Sequence, residues 1–209
     1  MTSKKKVFGI GLNKTGTTTL GECLRTLGYD HVGTRRDLLA DYREGRMDRI
    51  FEITDAHNAF EDWPWPLPYR EFYERYGDEA RFVLTLRRSP EAWLKSLKKH
   101  SLITPLNGHC RTLAYGYDYP FGYEAEYLEA YERHNREVVE FFKSVGAENA
   151  LITLCWEHGH GWQELCDFLG EPLPEAAFPH ANPSTPLTYF SRRQLRNRLR
   201  SGYWKPNVS

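Results

Sequence analysis

The hydrophobic and polar positions of this chain change period repeatedly, and the changes predict an alternation of strands and helices. Short apolar runs predict strands at residues 7–11, 49–53, 81–86 and 150–154. Between them, apolar residues at helical spacing predict helices near residues 18–27, 35–45, 69–76, 90–100 and 123–144. Strands that alternate with helices indicate an α/β fold, in which a central, mainly parallel sheet is flanked by helices on both faces. Residues 108–122 have the composition of a loop.

Length and charge narrow the class of protein. A chain of 209 residues is expected to form a single domain, with residues 1–5 as a tail and residues 191–209 as a basic C-terminal segment. Lys plus Arg and Asp plus Glu both total 28 residues, so the overall charge does not favour nucleic acid as a partner. No apolar run reaches the roughly 18 residues that a membrane span requires, and no signal-peptide core is visible, so we expect a soluble cytoplasmic protein.

The four cysteines are Cys23, Cys110, Cys155 and Cys166, and no two of them form a CxxC pair. Cys23 and Cys166 fall on apolar helix faces. This pattern predicts buried free thiols in a reducing compartment and predicts no metal site.

A glycine-containing turn between the first strand and the first helix is the strongest chemical signal. It reads Gly9-Ile10-Gly11-Leu12-Asn13-Lys14-Thr15-Gly16-Thr17-Thr18. A helix N-terminus presents free N–H groups and a positive dipole end, and both favour phosphate-like oxygens. Lys14 adds a positive charge, and the threonine hydroxyls add donors. We therefore predict a phosphorylated nucleotide at this turn, held by residues Asn13, Lys14, Thr15, Gly16, Thr17, Thr18 and Thr19.

The position of Lys14 distinguishes this turn from a Walker loop. A Walker loop places lysine directly after its second glycine, whereas here threonine follows Gly16 and the lysine lies two residues before it. The string Lys-Thr-Gly-Thr-Thr resembles the 5′-phosphosulfate-binding loop of the P-loop sulfotransferases that use 3′-phosphoadenosine 5′-phosphosulfate (PAPS).

A second motif follows the strand at residues 81–86. Ser89 as N-cap and Pro90 at the first helical position begin a helix, and Ser96 lies eight residues after Arg88. Arg-x-Pro with this serine is similar to the sulfotransferase element that binds the 3′-phosphate of PAPS. The guanidinium is a planar fork of donors suited to phosphate. The resemblance therefore implies that Arg88 and Ser96 bind the 3′-phosphate.

The resemblance to sulfotransferases, specifically to a bacterial-type branch, extends from about residue 6 to residue 183. It implies a P-loop-type sheet and in-line transfer of a sulfuryl group from PAPS, with adenosine 3′,5′-bisphosphate (PAP) as product and no metal. It also implies that Lys14 stabilises the charge that develops during transfer.

Three residues are candidates for the general base. Asp62 precedes Pro64 at the place where related enzymes carry a base-x-proline element, and it is the first choice. His57 and Asp55, expected at the end of the second strand, are the alternatives. Histidine and carboxylate both serve as bases in related enzymes.

The C-terminal segment allows two interpretations. Gly202-Tyr203-Trp204-Lys205 is similar to the end of a sulfotransferase element that closes over the nucleotide, although Asn197-Arg198-Leu199-Arg200 replaces its basic start. Alternatively, residues 191–205 form a basic amphipathic helix that contacts anionic lipid or a partner.

The acceptor is expected to be a small molecule, a glycan or a lipid-like compound. An aromatic-rich stretch offers either a stacking surface for it or a packed lid, and comprises Tyr115, Tyr117, Tyr119, Phe121, Tyr123 and Tyr127. Two other functions stay open, a nucleotide kinase or NTPase and a catalytically silent nucleotide-binding protein.

Overall fold

The computed structural model describes residues 4–104, 110–179, 196–197 and 199–200. Its five strands are β1 (Lys6–Gly9), β2 (His31–Val32), β3 (Ala59–Phe60), β4 (Ala80–Thr85) and β5 (Leu151–Leu154). The helices within the described residues are α1 (Thr17–Thr26), α2 (Arg36–Arg43), α3 (Asp48–Ala56), α4 (Tyr69–Tyr76), α5 (Pro90–Ser101), α6 (Cys110–Tyr115), α7 (Glu124–Ser144) and α8 (Trp162–Leu169).

The strands form one parallel sheet in the order β2-β3-β1-β4-β5. Val7 on the central strand pairs with Ala59 on one side and with Arg81 on the other. Successive side chains of a strand point to opposite faces, so Val7 and Phe8 enter two different clusters of buried residues. One cluster includes side chains of α2, α3, α4 and α7, and the other those of α1 and α8. The predicted α/β fold with helices on both faces is confirmed.

Turn chemistry determines where α5 begins. The Ser89 hydroxyl accepts a hydrogen bond from the N–H of Ala92 at 3.2 Å, and Pro90 occupies the first turn. Proline there costs no hydrogen bond because the first N–H groups of a helix have no partner within it.

The strand predicted at residues 49–53 is wrong, because these residues belong to helix α3. Ile50 and Thr54, four residues apart, are its buried positions, and this is helical spacing. The negative charge of Asp48 in the first turn stabilises the helix through its positive dipole end. Strands β2 and β3 have two residues each, which is too short for a period of two to be seen. The loop expected at residues 108–122 likewise contains α6.

The four cysteines are all free and buried, as predicted. None of the helices in the described part of the chain is long and apolar enough to cross a membrane.

Candidate functional site

The segments with predicted chemistry meet at the C-terminal end of the sheet, which is the end where the carboxyl ends of β1, β3 and β4 lie side by side. Residues 10–16 follow β1, Glu61 and Asp62 follow β3, and Arg87 and Arg88 come shortly after β4. Ligands of parallel α/β sheets bind at this end. We call residues 11–19 the phosphate loop, after the ligand that the sequence predicts there.

Thr85 of β4 fixes the start of the phosphate loop. A Cβ added at Gly11 would overlap the hydroxyl and carbonyl oxygens of Thr85, so only glycine fits. The Thr15 hydroxyl donates to the carbonyl of Leu12 at 2.6 Å, and it lies 2.7 Å from the Thr85 hydroxyl. Thr15 therefore maintains the shape of the loop from inside.

The end of the loop is held by Trp156, which follows β5. The Trp156 indole N–H donates to the carbonyl of Gly16 at 3.2 Å, and its ring occupies the space that a Cβ at Gly16 would need. Gly16 has φ +97° and precedes α1 without a side-chain cap. The first N–H groups of α1 thus have no side-chain cap, and such groups favour anions. Thr17 and Thr19 are buried in this first turn, and Thr18 is exposed.

Asn13 anchors the loop to the helices beside it. Its side-chain oxygen accepts a hydrogen bond from the Tyr115 hydroxyl at 2.7 Å, and its carbonyl accepts one from the Trp93 indole at 2.9 Å. Asn13 is 5% exposed. Its side chain is therefore engaged with Tyr115.

Lys14 and Asp62 influence each other's charge and share an unusual backbone conformation. Both are non-glycine residues with positive φ, +71° for Lys14 and +65° for Asp62. Burial lowers the pKa of Lys14, the nearby charge of Asp62 raises it, and the charge of Arg87 lowers it further. Strained backbone of this kind persists where the surrounding structure enforces it and is frequent at functional sites.

The Asp62 carboxylate is fixed by two hydrogen bonds. Thr34 donates its hydroxyl to Oδ2 at 2.8 Å, and the N–H of Trp63 donates to Oδ1 at 2.9 Å. Burial, followed by the charge of Glu61, raises the pKa of Asp62 to about 6, while these hydrogen bonds and Lys14 oppose the rise. A carboxylate with this pKa is a better base near neutral pH than an ordinary aspartate.

The motif after β4 is held by Glu157. This carboxylate accepts from the Arg88 N–H at 3.0 Å and pairs with the Arg87 guanidinium at 2.9 Å. The Arg88 side chain is exposed, and Ser96 is half-buried on α5.

His57 and Asp55 lie apart from this cleft. His57 precedes β3 whereas Asp62 follows it, so the two residues are at opposite ends of the strands. The His57 imidazole contacts the Asp30 carboxylate at 2.8 Å, and the His57 backbone carbonyl accepts a hydrogen bond from Lys6. Asp55 forms an ion pair with Arg75 at 2.6 Å. The expectation that either residue serves as base rested on a strand at residues 49–53, which is a helix.

Several residues that sequence reasoning missed belong to the site. Trp156 and Glu157 hold the two motifs, and no local pattern marks them because their contacts span long stretches of chain. His100 is the third: burial and the charges of Lys14, Arg111 and Arg36 lower its pKa to about 4. His100 is therefore a neutral imidazole near Lys14 at physiological pH.

The aromatic-rich stretch packs beside Asp62 and the loop. Tyr115 makes edge contacts with Trp63 at 5.8 Å and with Trp93 at 6.0 Å between ring centroids. Tyr117 stacks on Tyr123 at 3.9 Å. These rings form one wall next to the phosphate loop.

Two predicted features concern regions described only in part. Asn197 is buried and donates to the carbonyls of Leu102 at 3.0 Å and Thr104 at 2.9 Å, which ties this part of the basic segment to the end of α5. The Gly202–Lys205 element lies outside the described residues.

Among the residues that are described, no cluster of three or more His, Cys, Asp or Glu side chains could hold a metal ion.

Comparison with known proteins agrees with this geometry. Residues 6–120 and 101–186 match the family described as "Sulfotransferase domain". The chain is also similar to "Ava biosynthesis cluster protein M" of Aspergillus versicolor, with 31% identity over 221 aligned residues that cover 84% of this chain and 80% of the relative.

Proposed function

Because the chain belongs to the sulfotransferase domain family, we propose that it transfers a sulfuryl group from PAPS to a hydroxyl or amine of a small-molecule acceptor. The observation that carries the proposal is that Lys14, Asp62 and the uncapped start of α1 lie together at the C-terminal end of the sheet. This arrangement combines an anion site with a cation and a base, which are the groups that sulfuryl transfer uses.

The residues present fit the donor nucleotide. The N–H groups of the first turn of α1 and the hydroxyls of Thr17, Thr18 and Thr19 are assigned to the 5′-phosphosulfate, since no side chain caps this helix. Asn13, Thr15 and Gly16 give the phosphate loop its shape. Arg88 and Ser96 are assigned to the 3′-phosphate. The Arg88 side chain is exposed while Glu157 holds its backbone, and this supports the assignment.

Lys14 and Asp62 carry the chemistry in this proposal. Asp62 accepts the proton of the acceptor hydroxyl while the acceptor oxygen forms a bond to sulfur. The bond between sulfur and the phosphate oxygen of the donor breaks, and PAP leaves. Lys14 stabilises the negative charge that develops on the oxygens around this bond. The partial burial of Lys14 strengthens that effect because the local dielectric constant is lower than in water.

Two further features belong to the proposal. The name of the Aspergillus relative refers to a biosynthesis cluster, and this supports a small-molecule acceptor over a glycan or a membrane lipid. The aromatic wall around Tyr115 and Trp63 would contact such an acceptor beside Asp62. Four buried free thiols support a reducing, cytoplasmic location.

A transfer assay tests the function. Purified protein incubated with PAPS, EDTA and a library of phenols, alcohols and amines is expected to produce sulfated acceptor and PAP, measured by mass spectrometry. PAP alone at 100 times its dissociation constant is expected to stabilise the protein by about 2.7 kcal/mol in a melting experiment. Metal-dependent ATP hydrolysis would instead indicate an NTPase or kinase. PAP binding without transfer to any acceptor would indicate a silent nucleotide-binding protein.

Replacing Arg88 by alanine is expected to weaken PAP far more than adenosine 5′-monophosphate. A lost charge-assisted hydrogen bond is worth about 1.5–3 kcal/mol, which is about 10- to 100-fold in affinity. Calorimetric titration of both nucleotides measures the difference. Arg81→Ala, the same change at the opposite end of β4, is the control and should leave both affinities unchanged. Equal losses for the two nucleotides in Arg88→Ala would contradict the assignment.

A further inference from the structure

A second carboxylate, Glu61, is buried directly beside Asp62 and the proposed mechanism does not use it. The side chains of His31 and Glu61 are 5% and 10% exposed, and the His31 Nε2 lies 3.6 Å from Glu61 Oε1. Arg25 contacts the other imidazole nitrogen, Nδ1, at 2.8 Å. We call Arg25, His31 and Glu61 the Glu61 cluster.

The position of the proton on the His31 ring follows from its hydrogen bond with Arg25. A guanidinium can only donate, so the His31 Nδ1 must accept, and a neutral imidazole that accepts at Nδ1 carries its proton on Nε2. That N–H is the one nearest Glu61. His31 therefore presents a dipole to the carboxylate without cancelling its charge. The other Glu61 oxygen, Oε2, is buried and has no hydrogen-bond partner among the described residues.

Glycines make room for the Glu61 cluster. A Cβ at Gly21, in the interior of α1, would lie 2.9 Å from His31 Nε2 and 3.2 Å from Glu61 Oε1. A Cβ at Gly33 would lie 3.4 Å from the same carboxylate oxygen. Glycine inside a helix costs about 0.5–1 kcal/mol relative to alanine. Gly21 therefore lowers the stability of α1 and leaves the space that the Glu61 carboxylate occupies.

The same two strands supply both carboxylates and their partners. Strand β2 pairs with β3 through His31 and Ala59, and beyond the strands the N–H of Glu61 still donates to the carbonyl of Val32 at 3.3 Å. Thr34, further along the same segment, donates to Asp62. The segment from His31 to Thr34 thus contacts both Glu61 and Asp62.

The groups that face Asp62 come from three sides. They are Lys14 of the phosphate loop, Glu61 after β3, and Cys110 and Tyr115 of α6. Burial raises the pKa of Cys110 and raises the pKa of Tyr115 well above its usual value, so both are neutral in the working range. Among the described residues, Lys14 and Glu61 are therefore the charges that act on Asp62, and they act in opposite directions.

We propose that Glu61, buried beside His31, is a positioning residue that sets the strength of Asp62 as a base. This inference rests on the role given to Asp62 in the proposed function. The buried negative charge disfavours a second charge on Asp62, which keeps the proton affinity of Asp62 high enough for it to accept a proton from the acceptor. Glu61 itself takes no part in the transfer.

The test compares two substitutions at one position. Glu61→Gln keeps size and removes the charge, whereas Glu61→Asp keeps the charge and shortens the side chain. In wild type the acid limb of kcat/KM is expected near pH 6, the pKa of Asp62. Glu61→Gln should shift this limb down by about one pH unit, and Glu61→Asp should leave it nearly in place. Glu52→Gln, the same change at an exposed position of α3, controls for net charge.

A merely structural role predicts the reverse order, with the isosteric glutamine tolerated and the shorter aspartate damaging. An acid limb that Glu61→Gln leaves in place would overturn the proposal. If Glu61→Gln does not fold, Arg25→Ala decides, because Arg25 is exposed. Its loss removes the hydrogen bond that orients the His31 ring beside Glu61, so the position of Glu61 changes and a smaller shift in the same direction is expected. No shift in that variant counts against the proposal.

A measurement without turnover separates this inference from the proposed function. Carbon NMR of protein labelled at aspartate carboxyls follows the titration of Asp62 directly, and Asp62→Asn identifies its signal. Glu61→Gln should lower the midpoint of that titration even if no acceptor is ever sulfated. Failure of transfer together with the shifted titration would refute the proposed function alone. An unshifted titration in active enzyme would refute the role of Glu61 alone.

Discussion

Asp62→Asn is expected to lower turnover by about 10²- to 10⁴-fold, the range that general acid–base catalysis contributes. Asparagine preserves the size of the side chain and can keep the hydrogen bond from the N–H of Trp63, but it cannot accept a proton. The affinity for PAP should hardly change, because the carboxylate is assigned to the acceptor side of the cleft. Single-turnover kinetics on one acceptor, with calorimetry for PAP, measure the two effects separately.

His57→Asn and Asp55→Asn are the matched controls. Both should retain activity because these residues lie at the N-terminal end of the sheet, away from Asp62. An inactive His57→Asn beside an active Asp62→Asn would transfer the base assignment to His57. Activity in all three variants would mean that the acceptor needs no side-chain base.

The same substitution has a consequence for stability with a definite sign. The pKa of Asp62 is about 6 in the folded protein and 3.8 in the reference state, so the folded state binds the proton more tightly. The contribution of Asp62 to folding is therefore most favourable below pH 4 and declines as the pH rises to about 6. At neutral pH, Asp62→Asn should raise the free energy of unfolding, by at most about 3 kcal/mol. Chemical denaturation at two pH values checks the sign.

Lys14→Ala is expected to lower turnover by about 100-fold or more, comparable to the loss of one preorganised donor to a developing charge. PAP affinity should fall by a smaller factor, since the product carries no transferring group. Lys95→Ala, an exposed lysine on α5, is the control. A variant that lost only donor affinity and kept wild-type turnover would make Lys14 a binding residue.

Lys14→Ala should also change the pH profile. Lys14 lowers the pKa of Asp62, so its removal should move the acid limb above pH 6. Glu61→Gln is expected to move the same limb the other way. Opposite shifts from two neighbouring substitutions would be hard to produce by a general disturbance of the fold.

Local patterns predicted the elements that local chemistry specifies. Helix α4 was predicted at its observed bounds because the apolar positions of Tyr69–Tyr76 repeat at helical spacing, and α5 began as predicted because Ser89 and Pro90 mark its first turn. Strands β2 and β3 were missed because their two residues gain stability from neighbouring strands, which a short sequence window does not contain.

The site divides in the same way. The phosphate loop and Arg88 belong to short motifs, and their chemistry is visible in consecutive residues. His31, Glu61 and Trp156 are unremarkable in sequence, and they matter only through contacts formed after the sheet has assembled. For Asp62 the sequence predicted a base from its position before Pro64. Glu61 is its neighbour already in the sequence, but the burial that raises the pKa of Asp62 is a property of the fold.

The contact between Trp156 and Gly16 affects the order in which the molecule acquires its parts. The two residues are 140 positions apart, so the phosphate loop is completed only when the segment after β5 docks. Contacts between such distant residues form late, because closing a long loop costs entropy before any packing compensates for it. A chain emerging from the ribosome therefore carries the whole nucleotide motif long before it can bind nucleotide. Ligand cannot template the early steps of folding, and it stabilises only the finished domain.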